Sequence, residues 1–291
     1  MSRVGIVAEG GGTKAAYSAG VLKCLLEHDI VLPYCVGISA GTEILLSYVS
    51  KQVDRLEVTG IDAPCQKGVV GWRPFFKEGS IFGIEATNDF IESKAPLDFK
   101  ALKESTTTME IGLYNMETHQ VEYYDQSYVD SSQTLIKASC ALLILCRPYM
   151  FRGMQYMDAG LIDMISIHQS IRHGNQKHII VSTKEEGYVR KPAPSYQLKL
   201  AKWLYKDERI VEDLKKRHER YNEQWNTIHA LEQEGKALVL RPHKDLGVTR
   251  YTTDPKKLRP WFQLGYDETL ERLDQIKEFL EIERILDFFY L

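Results

Sequence analysis

The chain alternates between short runs of apolar residues and longer stretches with apolar positions at helical spacing. Residues 3–8 hold Val4, Ile6, Val7 and Ala8 almost without a polar break, the pattern of a strand covered on both faces. In residues 14–28, Ala15, Ala19, Leu22, Leu25 and Leu26 form a stripe that predicts a helix. Residues 34–38 (YCVGI) read as a second buried strand. Residues 40–52 follow as a helix, with Ile44, Leu45, Tyr48 and Val49 on one face. Residues 107–114 and 120–125 flank a turn at Asn115-Met116-Glu117-Thr118-His119, which predicts a strand pair. A helix over 130–142, a short strand over 155–157 running into Asp158, a helix over 168–173 and a buried strand over 177–183 (KHIIVST) complete this part. Strands alternating with helices predict a three-layer α/β fold, a central mostly parallel sheet flanked by helices.

Pro192-Ala193-Pro194 breaks the pattern. Beyond it, residues 196–234 are a long, highly charged helical stretch, 236–242 (KALVLRP) read as one more strand, and 258–291 as helix. The tail residues Leu270, Leu273, Ile276, Phe279, Leu280, Leu286 and Phe289 form an apolar face opposite an acidic one, which favours docking on a core over membrane insertion. We therefore divide the chain into a domain at 1–191 and a mainly helical region at 192–291 packed on it. Residues 60–83 stand apart as a Gly- and Pro-rich excursion over one face, carrying Trp72, Phe75, Phe76, Ile81 and Phe82 beside Arg73 and Lys77. Core filling is the favoured reading of these aromatics. Contact with acyl chains and an anionic membrane surface is the second.

Composition narrows the function. At 44% hydrophobic and 26% charged residues, the chain is an ordinary soluble globular protein. A net charge of −3 and a pI near 6.3 argue against nucleic-acid partners. No apolar run approaches the ~18 residues of a membrane span, and the N-terminus enters a strand with no signal-peptide core. The five cysteines form no C-x-x-C pair and read as small core residues in a reducing compartment. We expect a cytoplasmic protein, peripheral at most at the inner membrane face. The eight histidines form no H-E-x-x-H or H-x-x-E-H cluster, so no metal is expected.

The candidate chemistry lies near the N-terminus. Gly37-Ile38-Ser39-Ala40-Gly41 is a G-x-S-x-G elbow between a predicted strand and helix, a turn sharp enough to expose the Ser39 hydroxyl above the sheet. Gly10, Gly11 and Gly12 follow the first strand and offer backbone N–H groups to an oxyanion. They also fit a dinucleotide fingerprint, but the acidic residue that fingerprint needs at the end of the second strand is replaced by Gly37-Ile38-Ser39. No G-x-x-x-x-G-K-[ST] phosphate loop is present. A serine needs a base. Asp158, in Asp158-Ala159-Gly160, is one candidate, acting directly on Ser39. A triad through His168, His173 or His178 is the other, although these follow Asp158 by only ten to twenty residues. Lys14 is either a solvated helix-start lysine or a brace for the glycine loop.

Taken together and in this order, the motifs resemble those of bacterial patatin-like phospholipases. That family has Gly-Gly-Gly-x-Arg/Lys after the first strand, G-x-S-x-G on the next elbow, and Asp-Gly-Gly/Ala carrying the partner of the serine. Gly10–Lys14 and Gly37–Gly41 match the first two, and Asp158-Ala159-Gly160 matches the third with Ala159 in place of glycine. Residues 75–83, 113–118, 138–145 and 187–192, and the segment around Arg241-Pro242-His243, are similar to one bacterial branch. The resemblance implies a patatin-like acyl-hydrolase domain at 1–191 and a serine acyl-ester hydrolase acting on lipid or other acyl esters, with no cofactor. It implies a Ser39–Asp158 dyad and an oxyanion hole at Gly10, Gly11 and Gly12. Lys14, Gly37, Gly41, Ala159 and Gly160 would support them. Ala159 would cost about 1 kcal/mol or more if its turn demanded a positive φ. Ala15, where the family favours glycine, suits a first helical turn. The rival is a non-catalytic or weakly active nucleotide- or lipid-binding module in which Ala159 marks a decayed site.

Overall fold

In the computed structural model, which describes residues 3–282, the first apolar run is β1 (Val4–Ala8), buried throughout. The other strands are β2 (Tyr34–Gly37), β3 (Thr108–Asn115), β4 (Val121–Asp125), β5 (Tyr149–Phe151), β6 (Met154–Asp158), β7 (Lys177–Val181) and β8 (Ala237–Leu240). Among the described residues they form one eight-stranded sheet in the order β5-β6-β3-β2-β1-β7-β8, with β4 also on β3. β3, β2, β1, β7 and β8 run parallel, while β4, β5 and β6 join antiparallel.

Successive β1 side chains point to opposite faces. Ile6 and Ala8 belong to a core with Leu22, Leu25, Leu45 and Trp261, whereas Val7 packs with Ile180, Val239, Tyr221, Trp225 and Ile228. Helices therefore cover both faces. On the first lie α1 (Ala16–Glu27) and α2 (Ala40–Val49), then α3 (Val53–Glu57). The excursion contains α4 (Trp72–Glu78), and α5 (Ile84–Lys94), α6 (Phe99–Glu104) and α7 (Thr134–Ser139) lead towards the antiparallel edge. Next come α8 (Ile167–Arg172), α9 (Ser195–Tyr205), α10 (Glu208–Gln233), α11 (Pro255–Glu271) and α12 (Leu273–Phe279). This is the three-layer α/β architecture that the alternation predicts.

The register places two strand ends opposite each other. β2 pairs with β3 from Tyr34↔Thr108 to Gly37↔Ile111, and β6 pairs with it from Asp158↔Leu113 to Asn115↔Tyr156. β4 occupies the opposite edge, over Glu110–Tyr114. β2 and β6 therefore share one edge of β3 and run head-on towards each other. The gap between them faces Gly112. The chain leaves β2 through Ser39 and leaves β6 through Ala159.

Several elements differ from the expectations. The helix expected over 130–142 is confined to Thr134–Ser139, because Asp130 folds its side chain onto Ser132 N–H and Gln133 adopts a φ of 51°. The stretch 196–234 breaks in two at Lys206, whose φ is 52°, and Asp207 caps α10 by accepting from Arg209 N–H at 2.8 Å. α5 buries only Ile91 and so had no apolar stripe to read. Core filling fails for most of the 60–83 aromatics. Trp72 and Phe76 are 75% and 81% exposed, Phe75 and Ile81 are exposed, and Phe82 alone is half-buried. In the tail Ile276 is buried and Leu273, Phe279 and Leu280 pack on the core, whereas Leu286 and Phe289 lie outside the described residues. No described helix is long and apolar enough to cross a membrane.

The helix pair α1/α11 ties the C-terminal part of the chain to the first half. The two backbones approach so closely that a Cβ on Gly20 would lie 2.0 Å from Phe262 O, and one on Gly265 would lie 2.1 Å from Tyr17 O. Both clashes are with backbone, so a side chain forces the helices apart. Gly20→Ala and Gly265→Ala should each lower stability by about 1–3 kcal/mol, read as a fall in urea midpoint with an unchanged slope. An unshifted midpoint would refute this view of the crossing.

Candidate active site

Ser39 ends the strand-to-helix turn with φ 57° and ψ −133°, a conformation that costs a residue with a Cβ of order 1–3 kcal/mol. The surroundings hold it there. Gly41 N–H donates to Ile38 O at 2.9 Å, Thr42 N–H to Ser39 O at 2.9 Å, and Ser39 N–H to Ser139 Oγ at 3.2 Å. Ser139 Oγ also lies 3.1 Å from Thr42 Oγ1 and donates to Gly112 O at 3.4 Å. Ser139, at the end of α7, thus fastens the elbow to β3 at the gap between β2 and β6. Nothing in the sequence singled it out.

The glycine loop leads from β1 into a single 3₁₀ turn, Gly12–Ala15, directly before α1. Gly12 has a φ of 56°, and a Cβ there would lie 2.5 Å from Arg250 O. Thr13 N–H donates to that same carbonyl at 3.3 Å, and Thr13 Oγ1 to Thr249 O at 2.9 Å. Lys14 is buried. Its N–H donates to Gly11 O, its carbonyl accepts from Trp261 Nε1 at 2.8 Å, and its ammonium lies over the Trp261 ring and 4.0 Å from Glu185. Lys14 is therefore not a solvated lysine: its side chain is buried against Trp261 and near Glu185. Among the described residues, no carbonyl accepts from the N–H of Gly10, Gly11 or Gly12.

Glu9, immediately before the loop, is fully buried and accepts from Ser182 Oγ (2.7 Å), Thr183 N–H (2.8 Å) and Tyr221 OH (2.9 Å). A buried carboxylate so satisfied locks the ends of β1 and β7 together. Lys184 beside it is buried, and burial pulls its ammonium down to about 8 despite the Glu9 charge.

Asp158 closes β6. Its N–H donates to Ala141 O at 2.9 Å and its Oδ1 accepts from Gly160 N–H at 2.7 Å. Ala159 sits in a 3₁₀ turn and is not among the positive-φ residues, so its Cβ carries no such penalty. Arg217 from α10 donates Nε–H to Gly160 O at 2.6 Å. Burial pushes the Asp158 carboxyl up. The Gly160 N–H, the Ser39 hydroxyl, Arg217 and Arg250 pull against it without cancelling it. Burial, Arg190 and Arg250 lower the Arg217 guanidinium, but from so high a starting point that it stays charged.

The histidines are elsewhere. His178 is buried at the far end of β7, 2.9 Å from Ser170 Oγ, and burial lowers it to about 4. His173 stacks on Tyr34, and His168 is exposed near Thr227. None lines a cavity with Ser39. Ser39 and Asp158 do share a cleft, together with Gly10, Gly11, Gly12, Arg217 and Arg250. Gly37 ends β2 and Gly41 is the second residue of α2, so the two frame the elbow. The cleft opens on two sides. On the Ser39 side is an apolar cavity of about 150 Å³, lined by Ile44, Val69, Phe82, Ile84, Ile91 and Ile136. On the Asp158 side is a cavity of about 410 Å³ that Arg217, Arg250 and Tyr196 reach. Arg217, Arg250, Tyr196 and Trp261 all come from beyond residue 190, and no motif announces them.

A sequence model of patatin-like phospholipases matches residues 6–171, more than half of the chain and all three motifs. The chain belongs to the patatin-like phospholipase family. A domain of unknown function, DUF6363, matches residues 207–281, the part that supplies Arg217 and Arg250. The Escherichia coli K12 protein described as uncharacterized protein YjjU is 21% identical over 216 residues, 72% of this chain. The aligned part is 58% of that relative's length. Two solved structures share the fold at low identity. VipD from Legionella pneumophila matches with a TM-score of 0.52 at 14% identity, over 94% of this chain and 67% of its own. Human GIVD cytosolic phospholipase A2, solved with a methyl γ-linolenyl fluorophosphonate inhibitor, matches with a TM-score of 0.51 at 11% identity, over 96% of this chain and 59% of its own.

The raised Asp158 pKa has a sign that can be tested. Its folded-state value lies above the unfolded one, so the charged carboxylate works against folding, fully so above the folded pKa and less as pH falls through it. Asparagine removes that charge and still accepts from Gly160. Asp158→Asn should therefore melt at or above the wild-type temperature at pH near 8, with the gain shrinking as the pH is lowered towards the ordinary carboxylate range. A variant that melts lower at alkaline pH would contradict the desolvated carboxylate.

Proposed function

We propose that the protein is a serine acyl-ester hydrolase of the phospholipase A or lysophospholipase type, working through a Ser39–Asp158 dyad. One observation carries the reading. The converging ends of β2 and β6 bring the Ser39 elbow and Asp158 to one cleft roofed by Gly10, Gly11 and Gly12. Ser39 Oγ attacks the ester carbonyl while Asp158 takes its proton. The N–H groups of Gly10, Gly11 and Gly12 hold the oxyanion, and one such donor is worth about 10²–10³ in rate. The tetrahedral centre collapses, the C–O bond to the alcohol breaks, and Asp158 returns the proton to the departing oxygen. Water then attacks the acyl-Ser39 while Asp158 takes its proton, the bond to Ser39 Oγ breaks, Asp158 passes that proton to Ser39 Oγ, and the carboxylic acid leaves. Burial that raises Asp158 suits it to both halves of the cycle, because a carboxyl closer to neutral pH gives a proton back more readily. The acyl chain lies in the apolar cavity beside Ser39.

The rival binding-module reading rested on Ala159, and the turn there makes no demand that alanine fails. The dyad is favoured over a triad because no histidine lines the cleft among the described residues. Ser39→Ala should abolish hydrolysis of p-nitrophenyl butyrate and labelling by a fluorophosphonate probe. His168→Ala, His173→Ala and His178→Ala should each keep most of the activity. Equal labelling of wild type and Ser39→Ala, or loss of several orders of magnitude at one histidine, would overturn the dyad.

The substrate sits in a membrane, and α4 is the means of reaching it. Phe75 packs edge to face on both Trp72 and Phe76 in solvent, beside Arg73 and Lys77, and the segment returns through Phe82 to the apolar cavity. Aromatics with cations suit an anionic interface. The five free cysteines fit a reducing cytoplasm, hence the inner membrane face. Trp72→Ala/Phe76→Ala protein, folded by circular dichroism, should lose flotation with anionic liposomes and lose long-chain ester hydrolysis selectively over short-chain. Unchanged flotation would remove α4 from lipid access.

A further inference from the structure

Five cations stand around the cleft: Lys14, Lys184, Arg190, Arg217 and Arg250. The carboxylates near them are already engaged. Glu9 is saturated by hydroxyl and amide donors, Glu185 lies 4.0 Å from Lys14, and Asp158 is bonded to Gly160. Two of the cations line the cleft and the larger cavity beyond Asp158, namely Arg217 and Arg250. Among the described residues Arg217 donates only through Nε–H, to Gly160 O, and its two terminal amino groups have no hydrogen-bond or ion-pair partner. Among the described residues the Arg250 guanidinium has no carboxylate within salt-bridge reach and no hydrogen-bond acceptor; it lies 5.9 Å from the centre of the Tyr251 ring and shares the cleft with Asp158 and Arg217. Arg190, buried nearby over Tyr221, leaves Nη1 without any partner. Unpaired guanidiniums in a half-buried cleft are costly unless an anion completes them.

The geometry points to a phosphate-binding subsite formed by Arg217 and Arg250 on the Asp158 side of the cleft, in a cavity that meets the apolar one along Val70, Phe82 and Leu142. This rests on the hydrolase reading above for its orientation. With the acyl chain on the Ile44 and Ile136 side, the alcohol half of the ester projects towards Asp158, Arg217 and Arg250. An alcohol bearing a phosphate then meets two planar forks suited to bidentate contact. The substrate class is an acyl ester of a phosphorylated glycerol. The specificity comes from the C-terminal region, since Arg217 lies on α10 and Arg250 on the loop that also clamps Gly12 and Thr13.

Two measurements separate this site from the hydrolase reading. The first is calorimetry on full-length Ser39→Ala protein with sn-glycerol 3-phosphate, inorganic phosphate and glycerol. Glycerol 3-phosphate should bind, glycerol should not, and Arg250→Gln in the same background should weaken binding about tenfold or more. Inorganic phosphate binding as tightly as glycerol 3-phosphate would overturn the headgroup assignment in favour of a free-anion site. The second is the ratio of kcat/KM for 1-decanoyl-glycerol 3-phosphate to that for 1-decanoyl-glycerol. Wild type should favour the phosphorylated ester. Arg217→Gln and Arg250→Gln should each cut the ratio about tenfold or more, chiefly through KM, with Arg250→Lys recovering part of it. A ratio near one in wild type, or one that neither variant moves, would overturn the proposal. Binding without hydrolysis of either ester would instead defeat the hydrolase reading and leave the subsite standing.

Discussion

The site depends on one constraint, the sharing of a single edge of β3 by two strands that meet head-on. A strand edge offers a fixed ladder of carbonyl and amide groups, and β2 and β6 take successive parts of it, up to Ile111 and from Leu113. Neither can lengthen without displacing the other. Their exits are therefore forced out of the sheet at the same height, one through Ser39 and the other through Ala159. Ser139 spans the junction by accepting from Ser39 N–H and donating to Gly112 O. Residues more than a hundred positions apart in sequence are held together by register, with no direct linkage needed.

The second half of the chain completes this arrangement. β8 extends the sheet next to β7, α10 covers one face, and α11 crosses α1 at backbone contact distance. Through these contacts the C-terminal region reaches the glycine loop three times. Trp261 caps the Lys14 carbonyl, Arg250 O receives Thr13 N–H, and Tyr221 bonds Glu9. Within itself the loop makes only the bond from Lys14 N–H to Gly11 O among the described residues, so most of its rigidity comes from outside. Here it comes from tertiary contacts that spare the N–H groups of Gly10, Gly11 and Gly12.

This division explains what could be read from the sequence. β1, β2, β7 and β8 are continuous apolar runs because the parallel centre is covered on both faces, and such runs are legible. The elbow and the glycine loop carry spacing rules tied to backbone geometry, so they are legible too. Ser139, Arg217 and Arg250 follow no spacing rule, because each is fixed by a neighbour distant in sequence. The exposed aromatics of α4 were misread for a related reason. Hydrophobicity predicts burial only where a partner surface exists, and the pattern cannot say whether that surface belongs to the chain. The break at Lys206 was hidden by charge on both sides of it, although Asp207 is an N-cap residue in plain sight.

Ala159 shows how a motif can vary without losing its geometry. Asp158 lines the cleft it shares with Ser39, and the orientation of its carboxylate is set by the peptide carrying Gly160. That peptide is held at both ends, its N–H by Asp158 Oδ1 and, across the residue, its carbonyl by Arg217 Nε. Residue 159 only has to adopt a right-handed turn, which alanine does as well as glycine. Residue 160 is different. A Cβ there would lie 2.9 Å from Asp158 Oδ1 and would push the carboxylate off the amide that orients it. The requirement for glycine thus falls on the second position after the aspartate, where the backbone touches the charge, and alanine at the first is free of cost.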